Sequence, residues 1–261
     1  MEAGAGVALV DSVYRTTEHE VAAAVYPPED LALISDKWRY YGEYIDSSTR
    51  PYCNHVLHRN LPVALRFLEC GPDNRQRIFD LGCGLGNQSM IIAETGASVT
   101  SLDLSEDAIA LARRRQRFHE QVIGRPLSIR WEVSDFLTFA VADEDMGAYD
   151  GLFSMSAFMH LRPLDKAIEK IAQLLRPGGR VFIWDLNPFW GGQADRRVKR
   201  VTDIARMFEA TGFELLHFCG AVAIPRRIWR PSLVPLVRWL DERLYRVTPW
   251  PFGVTIGAVK I

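Results

Sequence analysis

Three glycines in alternate positions follow a short apolar stretch that ends in an acid. Residues 79–86 read Phe-Asp-Leu-Gly-Cys-Gly-Leu-Gly. Because glycine lets a backbone turn sharply and approach a ligand closely, this spacing predicts a cofactor-binding loop between a strand and a helix. A nicotinamide-dinucleotide loop has the form G-x-G-x-x-G/A, and its last position, counted from Gly82 or Gly84, is Asn87 or Ser89, so neither frame fits. A Walker A loop is excluded, since no Gly-Lys-Ser/Thr follows.

The elements that must position this loop are short apolar runs alternating with amphipathic stretches. Strands are predicted at residues 78–81, 98–102, 128–133, 149–153, 180–184, 213–219 and 254–260. Helical patterns separate most of these strands, and such alternation predicts a parallel sheet built from right-handed βαβ units. The fold class is therefore α/β, a doubly wound Rossmann-like seven-stranded sheet with helices on both faces. Its ligand site is expected at the carboxyl ends of the strands.

Five motifs, in order, resemble those of the class I S-adenosylmethionine-dependent methyltransferases. They lie at residues 80–86, 102–105, 134–136, 149–154 and 174–180. The resemblance covers residues 75–190 by motif, and residues 200–220 and 252–261 by topology. It implies S-adenosyl-L-methionine as cofactor, S-adenosyl-L-homocysteine as product, and methyl transfer to a small molecule.

The resemblance also implies the cofactor-binding residues. In the family, the acid that ends the second strand, here Asp103, hydrogen-bonds the ribose hydroxyls. The acid after the third strand, here Asp135, meets the adenine amino group, and Phe136 packs on the ring. The other matching positions are Asp80, Gly82, Cys83, Gly84, Gly86, Leu104 and Ser154. Taken singly, the glycines could serve any βα turn, Asp103 could cap a helix, Asp135 could be a solvated acid, and Phe136 could be core. We interpret Cys83 as a backbone contact and not as a nucleophile.

Methyl transfer requires alignment and exclusion of water more than acid–base groups, so few catalytic residues are expected. His160, which follows the fourth strand, is the candidate general base. The alternative is that His160 caps or packs the next helix. Asn187 and Asp185, just after the fifth strand, are candidates for the acceptor side.

Two helical blocks lie outside the alternation. Residues 1–74 are predicted to form an N-terminal cap or lid, and residues 75–261 the methyltransferase domain with a helical insertion at 221–251. In the first block, Tyr40, Tyr41 and Tyr44 are predicted to contact the substrate, with packing on the core as the alternative.

The insertion carries an apolar stripe at helical spacing, formed by Leu233, Leu236, Val237, Leu240, Leu244 and Val247. Arginines and tryptophans are interleaved with it. We expect first a helix packed on the core with its arginines in water. The alternatives are a lid, a homodimer face, or peripheral membrane contact through residues 225–246.

Composition limits the remaining classes. The chain has 261 residues, is 48% hydrophobic and has a formal net charge of -1. This charge argues against nucleic-acid binding. Methyltransferases that modify nucleobases carry Asn/Asp-Pro-Pro-aromatic after the fourth strand, whereas residues 154–157 here read Ser-Met-Ser-Ala. This difference also argues against a nucleic-acid substrate. No apolar stretch has transmembrane length, no secretory leader is recognised, and scattered cysteines predict free thiols in the cytoplasm. No metal site is predicted, because no ligand cluster has suitable spacing.

The resulting hypothesis is methyl transfer from S-adenosylmethionine to a small, apolar or aromatic metabolite, with oxygen favoured as the acceptor atom. One alternative is an NAD(P)-dependent oxidoreductase on the same fold class. The other is a non-catalytic S-adenosylmethionine-binding protein that regulates a partner.

Overall fold

The computed structural model describes residues 50–188, 198, 200–249 and 251–261. The helices are α1 (Arg50–Phe67), α2 (Asn87–Glu94), α3 (Glu106–Ile123), α4 (Leu164–Leu174), α5 (Val201–Ala210) and α6 (Val234–Leu244). The strands are β1 (Arg77–Leu81), β2 (Ser98–Asp103), β3 (Ile129–Val133), β4 (Tyr149–Met155), β5 (Leu175–Leu186), β6 (Phe213–Val222) and β7 (Gly253–Lys260). A strand thus forms in each of the seven predicted stretches.

One sheet contains all seven strands in the order β3-β2-β1-β4-β5-β7-β6. The pairs among β1 to β5 are parallel, whereas β7 runs antiparallel to both β5 and β6. The predicted seven-stranded doubly wound sheet is therefore confirmed. The strand order reverses between β1 and β4, and a ligand crevice is expected at such a switch point, beyond the carboxyl ends of the strands.

Successive side chains of the central strands alternate between two cores, because a strand presents neighbouring residues to opposite faces. Ile78 and Phe153 pack with α1 and α2 on one face. Phe79 and Leu152 pack with α4 and α5 on the other. All four are almost fully buried, and burying one such side chain contributes about 1.5–3 kcal/mol. The sheet is thus held from both sides, which gives its carboxyl edge a fixed geometry.

Helix α1 is the described part of the predicted N-terminal cap. Four of its apolar side chains and Leu68, just after its end, are buried; the four are Leu57, Leu61, Ala64 and Leu65. These side chains share a core with strand residues of the sheet. The boundary at residue 74 stays a prediction, and Tyr40, Tyr41 and Tyr44 lie outside the described residues.

The insertion leaves and rejoins the sheet at one place, because Val222 at the end of β6 pairs with Gly253 at the start of β7. Helix α6 begins at Val234, with Leu233 at the cap position and no side-chain cap hydrogen bond. Pro235 lies in the first turn, where a backbone N–H would have no partner within the helix.

The expectation that α6 packs its apolar stripe on the core is also wrong. Of its residues, only Val237 and Asp241 are buried. Leu236 and Trp239 are 55% and 49% exposed, and Val247, just after the helix, is 71% exposed. The helix is attached through a buried carboxylate, and that attachment turns most of the stripe outward.

Candidate active site

The glycine loop between β1 and α2 is fixed by backbone hydrogen bonds. The N–H groups of Gly82 and Cys83 donate to the carbonyl of Leu102 in β2, at 2.8 and 3.1 Å. Gly82 has a φ of 73°, and a Cβ there would lie 2.2 Å from the Cβ of Ala157. Gly86 has a φ of 77°. The glycines therefore permit both the turn and its close packing, which a side chain would prevent.

Asp103 joins this loop to β2. Its Oδ2 accepts a hydrogen bond from the Gly84 N–H at 2.8 Å, and its Oδ1 accepts one from the Ser105 N–H at 2.9 Å. Each oxygen of a carboxylate can accept two hydrogen bonds, so both can still accept one from a ligand hydroxyl. The next residue, Leu104, is 72% exposed and lines a cavity at the carboxyl edge of the sheet.

The loop after β3 places a carboxylate beside an aromatic ring. Asp135 is exposed, and its Oδ1 accepts the Leu137 N–H at 2.8 Å. Phe136 is buried, and its ring centroid lies 5.9 Å from that of Phe79. Both residues line the same cavity as Asp103. A flat apolar ligand with an exocyclic amino group would suit this pair.

A cavity of about 820 Å³ lies at the carboxyl edge of the sheet. Its loop set of lining residues comes from the ends of β1 to β3: Gly82, Cys83, Asp103, Leu104, Asp135 and Phe136. Its apolar set comes from α1, the end of β5 and the segment before β7: Tyr52, Val56, Leu57, Trp184, Leu186 and Phe252. A polar, loop-lined region and an apolar region therefore share one cavity.

His160 and Asp185 also line this cavity. His160 ends a short 3-10 turn, Phe158–His160, and is exposed. Asp185 is buried and accepts the Met159 N–H at 3.0 Å and the Leu186 N–H at 2.7 Å. Burial raises the pKa of Asp185 to about 6, against the lowering effects of these N–H groups and of the His160 charge. The arrangement can accept a proton and stabilise the resulting imidazolium.

Five predicted site residues lie outside the lining: Asp80, Gly84, Gly86, Ser154 and Asn187. Gly84 and Gly86 both have positive φ angles, and the Gly84 N–H donates to Asp103, so these two residues determine the conformation of the loop. The hydroxyl of Ser154 is buried and donates to the Leu81 carbonyl at 3.0 Å, so it serves the β1–β4 contact. Asn187 is buried, and its backbone N–H donates to the Phe252 carbonyl at 3.0 Å. Ser154 and Asn187 thus do not line the cavity in this structure, and their roles in binding stay predictions.

Asp80 is buried beneath the loop and accepts the Ser89 hydroxyl at 2.5 Å. Burial raises its pKa from 3.8 to about 7. Between these values the folded protein retains a proton that the unfolded chain releases, so stability falls as pH rises through this window. Asp80→Asn should therefore raise the melting temperature more at about pH 8 than at about pH 5. The gain in the free energy of unfolding should be on the order of 2 kcal/mol larger at the higher pH.

Thermal unfolding of the cofactor-free protein at the two pH values measures this effect. The matched control is Asp143→Asn, since Asp143 is exposed and should leave the pH dependence of stability unchanged. An identical pH dependence in Asp80→Asn and the parent protein would contradict a protonated Asp80.

The thiol of Cys83 is suited to packing and not to nucleophilic attack. Burial, together with the charges of Asp80 and Asp103, raises its pKa well above the usual value. Its Sγ lies 3.9 Å from the Gly84 carbonyl oxygen. In the described part of the chain, no group of three or more His, Cys, Asp or Glu residues is arranged to hold a metal ion.

A buried carboxylate joins the insertion to α1 beside the cavity. The Oδ2 of Asp241 lies 3.1 Å from His55 Nε2 and 2.8 Å from Arg59 Nη1. Its Oδ1 accepts the Ala223 and Ile224 N–H groups at 2.7 and 2.9 Å. Although burial alone would raise it, the His55 hydrogen bond and the Arg59 charge hold the pKa of Asp241 below its usual value. We call these residues the Asp241 cluster.

The cluster fixes the segments that contribute to the cavity. Trp229 packs between the two blocks, with its ring centroid 4.8 Å from that of His55 and 5.6 Å from that of Tyr52. Tyr52 lines the cavity from α1, and Arg226 lines it from the insertion. Neither Tyr52 nor Arg226 was predicted as a site residue, because neither belongs to a local motif. Gln88, also not predicted, could have been identified by its place two residues after Gly86, the last glycine of the loop.

The sheet has seven strands in this order, a glycine loop after β1, and an acid at the end of β2 and another after β3. This is the architecture of class I S-adenosylmethionine-dependent methyltransferases. A family model described as a methyltransferase domain matches residues 79–183. Residues 79–183 therefore form a methyltransferase domain, and the predicted family and its cofactor class are confirmed.

Several individual proteins are similar to the chain. A ubiquinone biosynthesis O-methyltransferase of Idiomarina loihiensis is 33% identical over 167 residues, covering 61% of this chain and 61% of the relative. Phosphoethanolamine N-methyltransferase 2 of Caenorhabditis elegans is 28% identical over 165 residues, covering 59% of this chain and 36% of the relative. The chain thus matches less than two thirds of the length of either relative.

Among solved structures, magnesium protoporphyrin IX methyltransferase of Synechocystis with bound S-adenosylmethionine has a TM-score of 0.58 at 17% identity. The alignment covers 89% of this chain and 97% of that one. The likeness concerns the fold.

Proposed function

We propose that the protein transfers a methyl group from S-adenosylmethionine to a hydroxyl oxygen of a small, apolar or aromatic metabolite. The observation that carries the proposal is the single cavity that joins the loop set to the apolar set, with His160 and Asp185 in its lining. Ligand cavities typically measure about 300–1,000 Å³, so about 820 Å³ offers room for a cofactor and an acceptor together.

The residues of the loop set fit S-adenosylmethionine. The open carboxylate positions of Asp103 suit ribose hydroxyls, and Asp135 with Phe136 suits adenine. Gly82 lines the cavity, so its backbone is in a position to contact the cofactor. When bound there, the cofactor supplies a methyl carbon activated by a sulfonium. Exclusion of water by the surrounding side chains would protect that group.

The apolar set would hold the acceptor, and His160 would take its proton. While the cofactor's methyl group is transferred to the acceptor oxygen, His160 would take the hydroxyl proton. An ionised Asp185 beside it would stabilise the imidazolium. The Idiomarina loihiensis relative, an O-methyltransferase, supports oxygen over nitrogen as the acceptor atom.

The proposed partner is a small molecule and not a nucleic acid, in keeping with the net charge of -1. A homodimer stays an open prediction. No helix in the described ranges is long and apolar enough to cross a membrane. Among the described cysteines, Cys70, Cys83 and Cys219 are free thiols, which supports the proposed cytoplasmic location.

Calorimetry with S-adenosylmethionine and with NAD, followed by turnover assays on a panel of phenols, amines and carboxylic acids, tests the proposal. Release of S-adenosylhomocysteine with phenols supports it. Binding of S-adenosylmethionine without turnover on any acceptor would favour the non-catalytic alternative, and binding of NAD alone would favour the oxidoreductase.

Asp103→Asn is expected to weaken S-adenosylmethionine binding by about 10–100-fold, because hydrogen bonds to a charged group contribute roughly 1.5–3 kcal/mol. The amide also presents an NH₂ group where Gly84 or Ser105 now donates. Calorimetry gives the affinity, and thermal unfolding checks that the variant is folded. Glu106→Gln, at an exposed acid of the neighbouring first turn of α3, is the matched control and should bind normally. Unchanged affinity in Asp103→Asn would contradict the ribose role.

A further inference from the structure

We propose that the outward side of α6, with the residues that flank it, binds an anionic lipid surface. We call this surface the insertion face. Its apolar members are Ile228, Leu233, Leu236, Trp239, Leu244 and Val247, and all are exposed. Several large exposed apolar residues within one short segment of a folded domain indicate an interaction site.

The orientation of α6 is what creates this face. The Asp241 cluster fixes the inner side of the helix, so Leu236 and Trp239 are held outward on a structured support. An amphipathic helix normally buries its apolar stripe in its own domain. Here most of the stripe is left for contact with something else.

The charge on the same helix indicates the chemistry of the partner. Exposed arginines accompany the apolar residues: Arg227, Arg230, Arg238, Arg243 and Arg246. Within α6 the exposed acid is Glu242. The guanidinium carbon of Arg243 lies 3.9 Å from the ring centroid of Trp239. Arginine and tryptophan beside leucines are the composition of helices that lie at the boundary between headgroups and acyl chains. A bilayer with anionic headgroups satisfies both the charge and the apolar area.

Residues of the insertion face also lie close in sequence to residues that line the cavity. Val222 and Arg226 line the cavity, and Ile228, two residues after Arg226, belongs to the insertion face. If the acceptor is apolar, as proposed above, a bilayer would supply it close to the site. This last link rests on the proposed function, whereas lipid binding itself does not.

Co-sedimentation with vesicles of phosphatidylcholine containing phosphatidylglycerol, compared with pure phosphatidylcholine, tests the proposal on the full chain. We expect binding to the anionic vesicles that weakens when the ionic strength rises from about 0.1 M to about 1 M, because salt screens the arginines. No cofactor or acceptor is needed, so failure here and failure of methyl transfer can be told apart.

Two double variants distinguish binding through the insertion face from non-specific hydrophobic binding. Leu236→Ser/Trp239→Ser should lower vesicle affinity at least about tenfold, because it removes apolar area that would enter the interface. The matched control is Leu216→Ser/Phe218→Ser on the edge strand β6, where both side chains are 55% exposed. The control should bind as the parent protein does. Thermal unfolding establishes that both variants are folded.

Arg243→Gln/Arg246→Gln should lose most of the preference for anionic vesicles, and Arg117→Gln/Arg206→Gln, two exposed arginines elsewhere, should keep it. Absence of binding at low ionic strength would overturn the proposal. Equal binding of the parent protein to both vesicle types would also overturn it. So would a loss of vesicle affinity in Leu216→Ser/Phe218→Ser as large as that in Leu236→Ser/Trp239→Ser. A parent dimer that Leu236→Ser/Trp239→Ser converts to monomers, with no vesicle binding, would instead assign the face to a second copy of the chain.

Discussion

His160→Ala should lower kcat by about 10²–10⁴-fold while leaving S-adenosylmethionine affinity unchanged, since general-base catalysis typically contributes that much. His160 lines the cavity shared by the loop set and the apolar set, and it is near the buried Asp185. It makes no contribution to the predicted cofactor contacts. Turnover should therefore suffer without loss of cofactor binding, measured by S-adenosylhomocysteine release and by calorimetry.

The loss should depend on the acceptor. A phenol that is already ionised at the assay pH needs no base, so the His160→Ala defect should shrink with increasingly acidic phenols. Asp185→Asn should give a smaller defect, because it removes the charge that stabilises the imidazolium but leaves the base in place. His58→Ala, on α1 and outside the cavity, is the control. Normal turnover by a folded His160→Ala protein would leave His160 with only a structural role.

Asp241→Ala should destabilise the fold by about 3–5 kcal/mol, the usual cost of removing one partner from a buried ionic cluster. The side chain is fully buried, and its loss would leave Arg59 without its carboxylate partner. Since the pKa of Asp241 is lowered, the cluster stabilises the protein above about pH 4 and ceases to do so as pH falls below that value. Denaturant unfolding at neutral and acidic pH measures both effects.

A second buried carboxylate provides the control for global destabilisation. Asp145 is bound by Arg77, Arg130 and Tyr149, away from the cavity lining. Asp145→Ala should also lower stability, but only Asp241→Ala should speed proteolysis within residues 223–252 and raise the acceptor KM more than it lowers kcat. Equal effects of the two variants on proteolysis and on KM would mean that Asp241 supports the fold and does not position the insertion.

The parts of the site that were predictable from sequence are those encoded locally. Gly82 must be glycine because of its own φ and its contact with Ala157, and Asp103 is linked to the loop by its place at the end of a strand. The order of strands and helices could be predicted because short apolar runs alternate with amphipathic stretches. A strand and a helix each bury one face, and the spacing of their apolar residues differs. The cap of α3 is likewise a local contact, since Ser105 Oγ accepts the Ala108 N–H, three residues later, at 3.3 Å.

What sequence could not predict depends on contacts between distant segments. The stripe on α6 is consistent with burial, and only the pairing of Asp241 with His55 and Arg59, more than 180 residues earlier, shows which side faces inward. Ser154 likewise matches a family motif, yet its hydroxyl is used by the adjacent strand. Tyr52 and Arg226 reach the cavity only because α1 and the insertion meet there.

The pairing of Val222 with Gly253 makes the insertion an exchangeable module. Both of its ends are fixed by one antiparallel ladder, so its length can change without moving the strands, and lengthening a closed loop costs little entropy. Such a module can diverge in specificity while the loops after β1 to β3 stay constant. Transplanting residues 223–252 together with the α1 residues that bind Asp241 would be the minimal graft for moving acceptor preference between related enzymes.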